Sequence, residues 1–358
     1  MAWTIPEITV TVNTVIITPP ETDLLLGLLR AEPGFEHAEL AGMPEPLTGG
    51  FWATMTLLRL ANVTPAAETL VLRVMPDPAI AAKEVVFQRE IARMGFPVPA
   101  IRLTGGVDCG LGGAFLLMDH ASGRPPLAGL DGLATFRRLP SLARHLPDLL
   151  GRVTAALHEL DPAPVRAAVV DADVAAPCDA TAFLSLLAES ADQLERGDLH
   201  EAAVWLTRNP PRTERPVIGH GDLHPFNLLV DGKRWTLLDW STALVADPAY
   251  DLAFTTLMLR HPPLLAPAAL RPVIGAAGAG LARRFVAAYR RHGGTVPDRQ
   301  TLDWYTGLHA LRILTEFQGW QQDPAGPDRS LHPWTTVAPV AALTLGRTTG
   351  TAVTMLSD

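Results

Sequence analysis

The chain has 358 residues, 48% of them hydrophobic and 18% charged, with a formal charge of −8. That is globular composition, long enough for two lobes about a shared cleft, and an acidic balance with no basic stretch excludes nucleic acid as a partner. The N-terminus lacks a basic region before an apolar core, and prolines and Arg271 break the apolar stretch from Pro262 to Ala282, so neither a signal peptide nor a membrane span is expected.

Residues 1–20, rich in Thr, Val and Ile and ending in Pro19-Pro20, can supply an edge strand to an N-terminal sheet. Glu21 to Arg30 reads as a helix, with Leu24, Leu25, Leu28 and Leu29 at helical spacing. Extended segments flank Gly49-Gly50, the second continuing through Thr56 to Leu60, and Thr69 to Met75 is a further strand. Pro78 to Met94 is a predicted helix ended by Pro97 and Pro99. Strands follow at Ile101 to Leu103 and Ala114 to Met118, and Gly123 to Pro126 crosses to the second half of the chain. Leu133 to Glu159 predicts two helices parted near Pro147, and Asp171 to Leu206 a helical insert. Pro216 to Ile218 and Asn227 to Val230 read as short strands, and Asp231-Gly232-Lys233-Arg234 as a hairpin turn returning through Trp235 to Leu238. Helices are predicted over Pro248 to Arg260, Ala268 to Arg291 and Leu302 to Trp320. A Pro/Gly/Asp-rich stretch from Gln322 to Pro333 then precedes an apolar, Thr-rich tail.

The string His220-Gly221-Asp222-Leu223-His224-Pro225-Phe226-Asn227, with Leu238-Asp239-Trp240 beyond it, carries the most functional information. Asn227 stands five residues after Asp222, and Asp239 twelve after Asn227. The strand–loop–strand–turn–strand frame brings three oxygen-bearing side chains together, which suits phosphoryl transfer, where catalysis is mostly positioning and charge neutralisation. Asx residues also cap turns, the plainer reading of the same residues.

The pattern H-G-D-x-H-x-x-N followed by D-W resembles the aminoglycoside phosphotransferase family, the small-molecule branch of the protein-kinase-like fold. The resemblance implies an α+β bilobal fold: a small, mainly antiparallel N-lobe over residues 1–120 that binds nucleotide, and a larger helical C-lobe over 121–358 with an insert near 165–210. It implies that Asp222 is the catalytic base and that Asn227 and Asp239 hold Mg2+. His220 and His224 would brace the loop, and Asp251 would accept its backbone N–H groups. On the nucleotide side, Gly49 and Gly50 look like a shortened phosphate-covering loop, although a double Gly is also an ordinary hairpin turn. Arg73 stands where kinases carry a Lys, with Glu90 rather than Glu84 as its expected helix partner. A surface Arg is the plainer reading, and Lys83 is a second candidate cation whose plainer reading is a solvated helix face. Leu117 or Met118 would wall the base pocket, and backbone groups from Asp119 and His120 to Ala121 would bond the nucleobase. ATP is the expected nucleotide, with GTP left open.

Residues 171–201 hold eight acidic side chains against Arg196. They would suit a cationic acceptor such as an aminosugar, or simply form a solvated face. Trp304, Tyr305, His309, Glu316, Phe317 and Trp320 could also contact the acceptor, at a spacing that equally fits a core stripe. His158 and His309 read as partly buried helix residues. Cys109 and Cys178 are far apart, without metal-ligand spacing, and are expected as free thiols in a reducing cytoplasm. The leading expectation is an ATP-dependent O-phosphotransferase, monomer or homodimer, acting on a small hydroxylated acceptor, first an antibiotic. A metabolic kinase for a sugar, choline-like or amino-alcohol acceptor comes second, and a catalytically dead kinase-like binding module third.

Overall fold

The computed structural model describes residues 17–47, 53–64, 68–128, 132–263, 271–322 and 332–354. The edge strand expected within residues 1–20 falls mostly outside these, as do Gly49 and Gly50. Helix α1 (Pro19–Leu29) has both prolines in its first turn, where no N–H donor is required, and the Glu21 carboxylate accepts the Thr18 N–H at 2.7 Å.

Strands β1 (Glu39–Leu40), β2 (Glu45–Leu47), β3 (Thr54–Ala61) and β4 (Thr69–Met75) precede helix α2 (Pro78–Arg93); β5 (Ile101–Gly105) and β6 (Ala114–Asp119) follow it. They form one antiparallel sheet in the order β1-β3-β4-β6-β5, with β2 also on the outer edge of β3. Period-two alternation sorts its side chains. Leu70, Leu72, Phe115 and Leu117 pack under α1, while Met75, Leu116 and Met118 face the side that carries Ala81 of α2. Arg73 lies between Leu72 and Val74, and so falls on the α2 face with Met75.

The remainder is mainly helical. Helices α3 (Gly132–His158), α4 (Ala163–Asp171), α5 (Ala180–Gln193) and α6 (Gly197–Arg208) lead into β7 (Val217–Gly219), the hairpin β8 (Leu228–Asp231) and β9 (Arg234–Leu237), and β10 (Leu244–Ala246), which pairs with β7. Helices α7 (Ala249–Arg260), α8 (Arg271–Arg291), α9 (Arg299–Gln321) and α10 (Pro333–Thr349) complete the chain. Among the described residues no helix is long and apolar enough to cross a membrane.

Two expectations are corrected. The two helices expected around Pro147 are one helix, α3, with Pro140 and Pro147 inside it. Pro147 leaves the Ala143 carbonyl without its helical donor, and the Arg284 guanidinium on α8 donates to that oxygen at 3.0 Å. Leu146, Leu150, Val153 and Leu157 form the buried stripe that holds the helix through the break. The apolar tail, read as compositional only, is helix α10. His332 caps its first turn, Gly350 ends it, and Val337, Ala338, Ala341 and Leu345 bury one face against the core shared with α9.

The crossing between the two parts is clamped. Arg124 and Val230 exchange both backbone hydrogen bonds, at 3.1 and 3.0 Å. Gly123 has φ of +111°, and a Cβ there would meet the Val230 carbonyl oxygen at 2.7 Å. Only glycine fits this approach.

Helix α2 belongs to both parts. Its Phe87 and Ile91 are fully buried in a cluster with Leu150 and Val153 of α3, Leu228 and Leu237 of the hairpin, and Trp240. Phe87→Ala is expected to cost about 3–5 kcal/mol of unfolding free energy, the range for truncating a buried Phe, read as a lowered midpoint in urea unfolding. A loss under about 1 kcal/mol would mean that α2 does not depend on this contact.

Candidate active site

The loop from His220 to Asn227 connects β7 to β8, and one carboxylate on α7 organises its start. Asp251 accepts the His220 N–H at 3.1 Å and the Gly221 N–H at 2.6 Å, and His158 Nε2 lies 2.9 Å from the same carboxylate. His158 Nδ1 is 2.8 Å from the Tyr289 hydroxyl. Burial would push the Asp251 carboxyl upward, but these donors hold it below the usual carboxylate range. Gly221 has φ of +75°, and a Cβ there would lie 2.4 Å from the Tyr250 hydroxyl. His158 and His309, expected as partly buried, are both fully enclosed; His309 stacks on Tyr250 at 4.7 Å, and burial lowers it to about 3.

His220 ties the loop to the hairpin. Its Nδ1 accepts the Asp222 N–H at 3.2 Å, so Nε2 carries the proton and donates to the Leu238 carbonyl at 2.9 Å. Burial depresses its pKa and favours this neutral form. Thr242 donates its hydroxyl to the His220 carbonyl at 2.8 Å.

The Asp222 carboxylate accepts from the Asn227 amide at 3.2 Å and lies 3.5 Å from His224 Nε2. Arg312, on α9, approaches its other oxygen at 3.9 Å. Burial opposes ionisation, but His224, Arg312 and His220 outweigh it and hold Asp222 far below the usual range. Asn227 also donates to the Asp222 carbonyl at 3.0 Å, and Leu238 N–H donates to the Asn227 carbonyl at 2.8 Å. With its nitrogen spent on Asp222, the Asn227 side-chain oxygen is left as a donor toward a cation.

Asp239 follows β9 with φ of +65°, a left-handed conformation that Asp tolerates better than most side chains. Its Oδ1 accepts from the Ser241 hydroxyl at 2.6 Å and from Arg73 at 3.0 Å. Its Oδ2 has no hydrogen bond among the described residues. One free carboxylate oxygen and one amide oxygen form a hard donor set. Mg2+ commonly takes one or two such groups and completes its shell with water and phosphate oxygens, so these residues fit that ion.

Arg73 corrects one expectation. The buried guanidinium bridges Asp239 to Glu84 at 3.5 Å, not to Glu90. Glu90 pairs with Arg93, one turn along its own helix. The reason is helical phase: Glu84 shares the buried stripe of Ala81, Phe87, Gln88 and Ile91, and α2 begins only three residues after β4 ends, so its second turn is the one beside Arg73. Lys83 is likewise buried rather than on a solvated face, and burial brings its ammonium down to about 8.

At the end of β6, Met118 is buried on the α2 face of the sheet, whereas Leu117 packs away from it under α1. The Asp119 side chain pairs with Arg102 at 2.6 and 2.7 Å. Asp119 N–H donates to the Ala100 carbonyl at 2.9 Å and His120 N–H to the Thr69 carbonyl at 3.1 Å. Both amides are therefore spent inside the fold, and of the three from Asp119 to Ala121 that of Ala121 alone has no backbone partner among the described residues.

Three of the eight acidic side chains in the insert are spent on local structure. Asp179 caps α5, Asp198 pairs with Arg196 at 2.8 Å, and Asp192 lies 2.8 Å from His200. None of its carboxylates has a hydrogen bond or ion pair with the loop from His220 to Asn227 among the described residues.

Residues 58–305 match the phosphotransferase enzyme family, APH. The chain belongs to that family. As a member of it, this phosphotransferase is a kinase-type enzyme. Its fold is shared by a Ralstonia eutropha protein classed among the aminoglycoside phosphotransferases, at 21% identity and a TM-score of 0.62, covering 92% of this chain and 98% of that one. A choline/ethanolamine kinase family protein from Mesorhizobium loti aligns at 17% identity and a TM-score of 0.54, covering 91% and 94%. APH(2")-IIia, in its complex with GDP and kanamycin, aligns at 17% identity and a TM-score of 0.53, covering 91% and 98%. No curated protein sequence matches.

Sequence reasoning missed two residues that this phosphotransferase brings to the site, Ser241 and Arg312, and set a third, Glu84, aside in favour of Glu90. For Arg312 a signal existed, a lone cation in the apolar run from Ala310 to Leu314.

Burial raises the Glu84 carboxyl to about 7, above its ordinary 4.5. The folded state then keeps a proton that the unfolded chain releases, so this group's contribution to stability falls as pH rises between those values. Wild type should lose stability relative to Glu84→Gln over that interval, seen in urea midpoints at a series of pH values. A pH-independent difference would show that Glu84 stays ionised.

Proposed function

We propose that this phosphotransferase moves the γ-phosphate of ATP to a hydroxyl of a small-molecule acceptor, an antibiotic in the first instance. The carrying observation is the Asp222 carboxylate, held ionised by His224 and Arg312 and turned by the Asn227 amide at 3.2 Å. An ionised carboxylate on a rigid loop can orient an acceptor hydroxyl and take its proton. The acceptor oxygen bonds to phosphorus as the bond to the bridging oxygen of the departing nucleoside diphosphate breaks. Mg2+, when bound, neutralises phosphate charge, and Asn227 and Asp239 would hold it. Arg73, kept in place by Glu84 and Asp239, supplies a fixed cation on the nucleotide side, and Met118 offers an apolar wall to the base. GTP would meet the same groups.

The nucleotide-binding lobe would run to about residue 120, with the catalytic loop and acceptor site beyond it. Beside the loop, Phe226 is 52% exposed, with its ring 6.1 Å from that of His224. An exposed aromatic four residues from the proposed base supports an acceptor with apolar surface, more than the acidic insert supports a cationic one.

Asp222→Asn keeps the shape of the loop and removes the base, so turnover should fall ~10²–10⁴-fold while Mg·ATP binding survives. Phosphate transfer from Mg·ATP and Mg·GTP to a panel of antibiotics, sugars and amino alcohols, followed by mass spectrometry, tests this. Transfer at the wild-type rate by Asp222→Asn would sink the assignment. Once an acceptor is in hand, Phe226→Ala should raise its KM roughly tenfold, the range for losing one apolar contact, with the ATP KM unchanged. A change confined to the ATP KM would place Phe226 on the wrong side of the cleft.

A further inference from the structure

Arg312 lies on α9 among Leu308, Leu311, Ile313 and Leu314, all buried, and its own side chain is 5% exposed. A guanidinium in such surroundings is costly unless each of its faces is answered. Here they are. Its Nε donates to Glu316 at 2.9 Å, one terminal nitrogen donates to the Gly221 carbonyl at 3.1 Å, and the other faces Asp222 at 3.9 Å. The rings of Phe254 and Trp334 lie 5.7 and 5.8 Å from its central carbon. Glu316 is held in turn by the Trp334 indole N–H at 2.7 Å.

The Gly221 carbonyl belongs to the peptide unit that ends at Asp222. The N–H of that unit donates to His220 Nδ1 at 3.2 Å, and its oxygen is taken by Arg312. The preceding peptide is fixed by Asp251, which accepts the Gly221 N–H at 2.6 Å. Asp222 therefore leaves a backbone that is fastened on both edges, and the outer fastening comes from a helix distant in sequence.

We propose that Arg312 is a positioning residue: it fixes the Gly221–Asp222 peptide and thereby aims the Asp222 carboxylate at the acceptor hydroxyl. The inference rests on the reading of Asp222 as the base. An apolar side chain of similar volume would fill the space between Phe254 and Trp334 and spare the desolvation of a charge. It could not hold the Gly221 oxygen or face Asp222. Because Glu316 joins Arg312 to Trp334 at the start of α10, the aim of the base is set by the packing of α9 against α10.

The test uses the full-length protein and hydrolysis of Mg·ATP by water, which needs no identified acceptor. Arg312→Gln should lower the turnover number ~10–100-fold, the effect of misplacing a reacting group by about an ångström, and leave the ATP KM within about twofold. Arg312→Lys should recover part of the loss, because it restores the charge and one donor without the planar fork. In the Asp222→Asn background, Arg312→Gln should add little, since the two act as one unit. Glu316→Gln, which weakens the anchor and spares the guanidinium, should give a smaller loss of the same pattern and serves if Arg312→Gln does not fold. A full additive loss in the Asp222→Asn background, or a change confined to the ATP KM, would overturn the inference. A large loss in Asp222→Asn with none in Arg312→Gln overturns the role of Arg312 alone, whereas equal turnover of wild type and Asp222→Asn overturns the reading of Asp222 on which it rests.

Discussion

A carboxylate buried among helices must find donors or give up its charge, and Asp251 finds three. Two are the consecutive amides of His220 and Gly221, and the third is the imidazole of His158. The rest of the site follows from that demand. The amides can converge on one carboxylate only if the chain turns sharply at Gly221, with the Tyr250 hydroxyl filling the space a Cβ would need. The turn delivers the Asp222 N–H to His220, whose other nitrogen reaches the Leu238 carbonyl beside Asp239. A stability requirement in α7 thus becomes a positional requirement on two acidic side chains outside that helix, Asp222 and Asp239.

The second organising contact joins the sheet to the helical part. Arg73 arrives on β4, Glu84 on α2 and Asp239 after the hairpin, and the guanidinium lies between the two carboxylates. Burial makes each of these charges expensive alone, and their mutual attraction offsets that cost. Burial outweighs both the Arg73 guanidinium and the Trp240 backbone N–H at Glu84, so the balance on its side is poor and its pKa is raised. The strength of the triad therefore sits on the Asp239 side, where the contact is 3.0 Å and hydrogen-bonded.

Much of this was legible in the sequence, for reasons that can be named. Strand β4 matches its predicted bounds because its flanks break cleanly, and the hairpin because Gly232, with φ of +59°, stands first of the two turn residues between the paired Asp231 and Arg234. The spacing from Asp222 to Asn227 to Asp239 is local to one loop and one hairpin, so the chain itself carries it. What could not be read were the contributions from far along the chain. The Arg284 donor that keeps α3 whole at Pro147 lies 141 residues from the carbonyl it satisfies. Arg312 lies 91 residues from the Gly221 oxygen it holds. Glu84 is a different case: its phase within a visible apolar stripe was available, and a preference for the more distant Glu90 obscured it. Helix α10 hid behind Thr and Ala, whose small buried faces make a weak periodic signal.

The sharing of α2 between the two parts sets where the molecule can flex. Phe87 and Ile91 seat the helix among side chains of the helical part, while Ile80, Ala81 and Val85 meet the sheet and Gln88 donates to the Pro99 carbonyl at 2.7 Å. Large interlocked side chains resist sliding more than small ones do. Both seats of α2 hold such side chains, so a widening cleft would have to strain one of them. The Arg73 guanidinium on β4 is tied in the same two directions, to Glu84 on α2 at 3.5 Å and to Asp239 beyond the hairpin at 3.0 Å. Opening would therefore work against interlocked side chains on one side of α2 or the other, rather than about an empty hinge.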